Sequence, residues 1–180
     1  MNLSIRVYRI SEEFSDLPLP AYMTSGAAGM DIYAAVREPL VIDPMCTVMV
    51  PTNLKIQLPS GFEAQIRPRS GLAFSNKIIL PNSPGTIDSD YRGEIKVIML
   101  NLGKDRFVVN RGDRIAQIII SEYKRVEWDE STSLAATERG EGGFGSTGTS
   151  REAVPSNRST NVDDTTMKSE DSDYARDPKV

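Results

Sequence analysis

Short segments of alternating apolar and polar residues, each cut off by a cluster of proline, glycine or asparagine, run through the first 120 positions and limit what this chain can become. Leu3-Ser4-Ile5-Arg6-Val7-Tyr8, Leu54-Lys55-Ile56-Gln57-Leu58, Phe62-Glu63-Ala64-Gln65-Ile66-Arg67 and Ile95 to Leu100 alternate with a period of two, while Phe107-Val108-Val109 and Ile115 to Ile120 are rich in β-branched residues. Both patterns are those of strands with one face turned to a core. The breakers between them are Asp43-Pro44, Pro59-Ser60-Gly61, Pro81 to Gly85, Asn101-Leu102-Gly103 and Asn110 to Asp113, residues that set turns rather than continue ladders. About ten short strands punctuated in this way predict an all-β barrel or sandwich. Only Ser131 to Glu138 has a helical cast, and no internal repeat is visible.

The 180 residues are enough for one domain and a tail, with 39% hydrophobic and 26% charged residues, an ordinary globular balance. A net charge of −4 argues against a broad basic surface for nucleic acid, though local arginines still suit phosphates. The single cysteine, Cys46, lies in the apolar run Met45 to Val50 and is expected to be a small core residue in a reducing compartment. The N-terminus lacks a signal-peptide pattern and no stretch approaches a membrane span, so a cytoplasmic protein without membrane attachment is expected.

Histidine is absent, which removes the commonest general base and the commonest metal ligand. With one cysteine besides, a zinc site or a histidine-activated nucleophile is excluded. Any catalytic base is then expected to be a carboxylate, and any metal a hard, oxygen-bound cation such as Mg²⁺.

Five segments carry chemistry. Gly85-Thr86-Ile87-Asp88-Ser89-Asp90-Tyr91-Arg92-Gly93 crowds two carboxylates, an aromatic ring and an arginine between glycines before the strand from Glu94 to Asn101. It reads as a turn at the tip of a strand pair, functional or simply solvated. Arg67-Pro68-Arg69-Ser70-Gly71-Leu72-Ala73 ends a strand in a turn that offers a guanidinium fork, a hydroxyl and an approachable amide to an anion. Glu138-Arg139-Gly140-Glu141-Gly142-Gly143-Phe144-Gly145-Ser146-Thr147-Gly148 has five glycines in nine residues from Gly140 but no Walker A pattern. It is either a linker or a segment that folds over a phosphate ligand while Phe144 stacks on a base. Asp31, in Ala27 to Ala35, is a turn carboxylate or an orienting one; Gly112 to Gln117 enters a strand through a turn, and the adhesion-like triplet Arg111-Gly112-Asp113 is read, in a cytoplasmic chain, as a turn. From Thr149 to Val180 the chain is polar and poor in bulky apolar residues, a composition expected to stay disordered.

Taken in order, Ala28-Gly29-Met30-Asp31, Pro68 to Ala73, Gly85 to Gly93, Gly112 to Gln117 and Arg139 to Gly148 resemble the five motifs of the trimeric deoxyuridine triphosphate nucleotidohydrolases (dUTPases). The resemblance covers nearly everything up to Gly148. It implies a jelly-roll-like β-barrel at 1–137, a mobile glycine-rich lid arm at 138–148 and an extra polar tail at 149–180. It further implies a homotrimer with three shared sites, motifs two and four coming from one subunit, motif three from a neighbour and the arm from the remaining one.

The implied reaction is hydrolysis of dUTP to dUMP and pyrophosphate, which limits uracil in DNA and supplies dUMP for thymidylate. In it Asp88 is the general base, and Mg²⁺ is held mainly by the triphosphate rather than by protein ligands. Arg69, Ser70, Gly71 and Gln117 surround the phosphates. Arg139, Gly145, Ser146 and Thr147 close over them while Phe144 caps the base. Asn82, Gly85, Thr86 and Ile87 belong to a hairpin from Asn82 to Lys96 that reads uracil, Tyr91 sits beneath the deoxyribose and rejects a 2′-hydroxyl, and Lys96 is near the nucleotide. Asp31 has a supporting role. Two other readings remain beside it: a dCTP deaminase of the same fold, and a dUTP-binding regulator whose tail engages a partner.

Overall fold

Residues 3–143 are described by the computed structural model. Twelve strands, β1 (Arg6–Arg9), β2 (Ala21–Tyr22), β3 (Met30–Tyr33), β4 (Leu40–Ile42), β5 (Thr47–Pro51), β6 (Leu54–Gln57), β7 (Phe62–Arg67), β8 (Ile78–Ile79), β9 (Gly85–Ile87), β10 (Lys96–Asn101), β11 (Phe107–Val109) and β12 (Arg114–Glu122), are joined by turns, one 3₁₀ turn (Glu12–Phe14) and one helix, α1 (Ser70–Asn76). The architecture is the expected all-β jelly-roll-like barrel. Its largest sheet runs β2-β3-β12-β7-β9; β5-β10-β8, β1-β6 and β11-β4 complete it. No helix among the described residues is long and apolar enough to cross a membrane.

Alternation decides which side chains turn inward. In β10, Val97, Met99 and Asn101 are wholly buried while Lys96 points out, the period of two that a half-buried strand requires. Ile115, Ala116 and Ile118 of β12 join Ile32, Ala64 and Ile66 in the same core, so the centre of the five-stranded sheet is its best-packed part. Asn101, buried without charge, donates to the carbonyls of Ile42 and Asp105 and accepts from the Gly103 amide, leaving no polar atom of its amide stranded.

Four expectations are corrected. β9 pairs with β7, whereas β10 pairs with β5 and β8. The segment from Asn82 to Lys96 is therefore not a hairpin whose arms bond to each other but a bridge between two sheets. Residues 67–73 do not end in a simple turn: β7 stops at Pro68, which has no N–H for the ladder, and α1 starts at Ser70, closing on Lys77 in the left-handed conformation (φ 59°) with its amide donated to Leu72. Cys46 is exposed, because it sits in the turn before β5 with its amide bonded to Asp43.

The chain divides after Asp129. Residues 131–138 contain no helix, and Leu134 is 92% exposed. A segment that short lacks the length to be helical without an apolar face to bury.

Candidate active site

Motif one and motif four are neighbours by strand register: Asp31 of β3 stands opposite Gln117 of β12, which stands opposite Arg67 of β7. Arg69, two residues past the end of β7, folds back over this row. Asp31 is 9% exposed, and both of its oxygens are engaged. Oδ1 accepts from Arg69 Nε at 3.0 Å and Oδ2 from an Arg114 Nη at 3.1 Å. Arg69 also donates an Nη to the Arg114 carbonyl at 3.1 Å, so its guanidinium is held from two directions. Asp31 is thus a bridging carboxylate and not a simple capping one.

Two guanidiniums against one carboxylate leave a surplus positive charge, and charge-assisted pairing fixes where it sits. Arg114 was not singled out from the sequence. Its register with β3 breaks between Arg114 and Ala116, and an irregularity of this kind re-aims a side chain in a way that strand alternation does not forecast.

Gln117 donates Nε2 to the Pro68 carbonyl at 2.9 Å, tying β12 to the start of α1. Gly29 is what leaves room for it: a Cβ there would lie 2.5 Å from Gln117 Oε1. Ser70 and Gly71 occupy the first turn of α1, where amides have no partner within the helix. A Cβ built on Gly71 meets nothing within 4 Å, so the surface above that amide is open. Asp31, Arg69 and Arg114 are thus linked directly, and Gln117 is tied to Pro68 just before α1, where Ser70 and Gly71 lie.

Motif three forms a second cluster. Gly85 and Ile87 of β9 lie opposite Ile66 and Ala64, with Thr86 exposed between them. Asn82 and Asp88, at either end of β9, are exposed, as is Lys96 at the start of β10. Gly85 is buried, with Asn82 Nδ2 3.0 Å from where a Cβ would stand. Tyr91 donates its amide to the Asp88 carbonyl and its hydroxyl to the Glu94 carbonyl at 3.0 Å. Its ring lies over Gly93, where a Cβ would overlap it.

Within one chain Asp88 lies away from Asp31, although Gly85, opposite Ile66, is close to the end of β7 that leads to Arg69. Asp88 follows Ile87, which faces Ala64, while the Asp31 row is level with Arg67 and three strands across. With strands about 4.8 Å apart and about 3.3 Å per residue, the Cα atoms of Asp88 and Asp31 are roughly 19 Å apart. Among the described residues, no three carboxylate or cysteine groups converge as a metal site. Arg139 is exposed and donates Nε to the Gly142 carbonyl at 2.8 Å; Phe144, Gly145, Ser146, Thr147 and the tail 149–180 lie outside the described residues.

A family model described as dUTPase matches residues 15–148. Deoxyuridine 5'-triphosphate nucleotidohydrolase of Anaplasma marginale (strain St. Maries) is 52% identical over 147 residues, covering 82% of this chain and 99% of that protein. The enzyme of the same description from Rickettsia felis is 58% identical over 137 residues, covering 76% and 92%. Among solved structures, the Staphylococcus bacteriophage 80alpha dUTPase with dUPNHPP superposes with a TM-score of 0.70 at 23% identity, covering 82% of this chain and 99% of that one. A dUTPase of phage phi11 of S. aureus, whose structure shows coordination of a structural Mg(II) ion, superposes with a TM-score of 0.66 at 20% identity, covering 74% and 100%.

Proposed function

The chain belongs to the dUTPase family and hydrolyses dUTP to dUMP and pyrophosphate, and on that premise we propose how its own residues share the work. Asp88 is the general base. It takes a proton from water as the water oxygen bonds to the α-phosphorus, and the bond from that phosphorus to the bridging oxygen breaks in line, releasing pyrophosphate. A positioned base contributes about 10²–10⁴-fold, so the larger share of the acceleration falls to electrostatic stabilisation of the phosphates. Arg69, held by Asp31 and by the Arg114 carbonyl, supplies it together with Ser70, Gly71 and Gln117.

The observation that carries this reading is the distance of Asp88 from Asp31 and its arginines within one chain. It supports a homotrimer in which Asp88 of one copy meets the Arg69 cluster of another, since the C-terminal arm, Arg139 and Phe144 to Thr147, is proposed to close the site from the third. Closure excludes water and raises the strength of every charge interaction inside. Asn82, Gly85, Thr86 and Ile87 read the uracil edge, Tyr91 fills the space a 2′-hydroxyl would need, and Lys96 stands beside the nucleotide.

Mg²⁺ fits this donor set only as a partner of the substrate. Asp31 has no free oxygen to give, and the cluster around it is cationic and thus suited to phosphate oxygens. When bound, the cation would neutralise charge on the triphosphate, whose oxygens hold it. Residence in the cytoplasm is proposed with this activity, supported by the unpaired thiol of Cys46.

The test is pyrophosphate release with Mg²⁺ from dUTP, dTTP, dCTP and UTP side by side. Turnover confined to dUTP is expected. Ammonia release from dCTP would instead favour deamination, and tight dUTP binding without turnover a regulatory role.

A further inference from the structure

The Tyr91 side chain is held by groups the reaction itself does not use. Its hydroxyl donates to the Glu94 main-chain carbonyl at 3.0 Å, and Glu94 is in turn held by its own carboxylate. Glu94 Oε1 accepts the Asn53 amide at 2.9 Å. Asn53 is 4% exposed and adopts the left-handed conformation (φ 62°), a strained backbone that persists only where surroundings fix it. They do: Asn53 Oδ1 accepts from the Ser11 amide at 2.8 Å, its Nδ2 donates to the Ser11 carbonyl at 2.9 Å, and its carbonyl accepts from Ile10 at 3.0 Å. On the next residue pair, Thr52 Oγ1 donates to the Ile95 carbonyl at 2.6 Å and the Ile95 amide to Leu54 at 2.9 Å. The Tyr91 ring is therefore the outer end of a polar chain whose inner end is a nearly buried asparagine between β5 and β6.

Resting on the reading of Tyr91 as the group that fills the 2′-hydroxyl position, we propose that Glu94 is a positioning residue for that discrimination. Its carboxylate, locked on the Asn53 amide, sets the height of the Glu94 carbonyl. The carbonyl fixes the Tyr91 hydroxyl, and Gly93 lets the ring lie flat beneath it. A tyrosine free to turn aside would admit a ribose; one bonded at its far end cannot yield without losing that bond.

Glu94 also has a charged neighbour, with Lys96 Nζ 3.8 Å from Oε2. A glutamine at 94 keeps the acceptor for Asn53 and removes only the charge, so it separates the two contacts.

The experiment measures kcat/KM for dUTP and for UTP and compares their ratio across variants of the full chain. Loss of one hydrogen bond of this kind is worth about five- to tenfold in the ratio. Tyr91→Phe and Glu94→Ala are each expected to lower the ratio by that amount, and the double variant no further than either alone. Glu94→Gln is expected to keep the wild-type ratio, a rescue that a general loss of stability would not show.

A collapse of the ratio in Tyr91→Ala with no change in Glu94→Ala would overturn the role of Glu94 and leave Tyr91 as the discriminating group. A Tyr91→Ala variant with the wild-type ratio would remove Tyr91 from that role, and the proposal with it. Should Glu94→Ala fail to fold, Tyr91→Phe and Glu94→Gln decide: an unchanged ratio in the first, or a lowered one in the second, overturns the proposal.

Discussion

Arg69 Nε and Asp31 Oδ1 are 3.0 Å apart across 38 positions of sequence, and that one bond joins the second motif to the first. The carboxylate is shared, since Arg114 takes the other oxygen. What looks from the sequence like a turn aspartate is the counter-ion that stops two guanidiniums from repelling each other and leaves one surplus positive charge.

Asp31→Asn should consequently be costly to binding. An amide can offer one acceptor to one arginine and cannot neutralise either. Removing one member of a fully buried pair costs about 3–5 kcal/mol; here Arg114 is 44% exposed in its side chain, so solvent screens part of the loss. The expected outcome is a KM for dUTP raised about tenfold or more with a smaller effect on kcat. Steady-state kinetics beside a thermal melt will separate this from unfolding. An unchanged KM would show that Asp31 does not orient the phosphate cradle.

The distance of Asp88 from Asp31 and its arginines within one chain makes a mixing experiment decisive. Asp88→Asn should lower kcat about 10²–10⁴-fold while keeping nucleotide binding, and Arg69→Ala should be similarly poor. Unfolded together in equal amounts and refolded, the two should recover activity. If each site takes Asp88 from one chain and Arg69 from another, random assembly gives about a quarter of the sites both wild-type residues. No recovery would place the two residues of each site in one chain.

Gly29→Ala tests the support under Gln117. The new methyl would stand 2.5 Å from Oε1, and since that atom ends a flexible side chain, the amide should swing away and release the Pro68 carbonyl. A drop of about fivefold in kcat/KM, the order of one hydrogen bond, is expected with little change in melting temperature. A large stability loss with normal kinetics per folded molecule would mean the glycine serves packing alone.

The sequence carried the strands and the cluster chemistry unevenly, for physical reasons. Alternation is a local property, so β6, β7, β10 and β12 were legible within a residue or two. Partner choice is not local. Nothing in Gly85 to Asn101 says that β9 bonds to β7 while β10 bonds to β5, and the hairpin expectation failed there. α1 was missed because seven residues after a proline carry too few turns to show a period. The Asp31–Arg69 bond depends on three strands lying side by side, and Arg114 joins it only through a register break. Asp88 and Tyr91, by contrast, lie exposed in a turn whose crowding is local and so visible in the sequence.

The arm yields the last prediction. Every strand among the described residues ends by Glu122, and the residues after Asp129 form a separate unit. Among the described residues, the barrel's buried core has no member beyond Ile118. Removing Arg139 to Val180 should therefore leave a cooperatively melting barrel with an unchanged circular-dichroism spectrum. Catalysis should be poor, because closure over the phosphates is proposed to require Arg139 and Phe144 to Thr147. Removing only 149–180, which lies outside the family match ending at 148, should leave kcat/KM for dUTP within about twofold of the full chain, below the effect of a single lost hydrogen bond. Full activity in the shorter protein would refute the lid. Impaired activity in the longer one would give the polar tail a part in turnover.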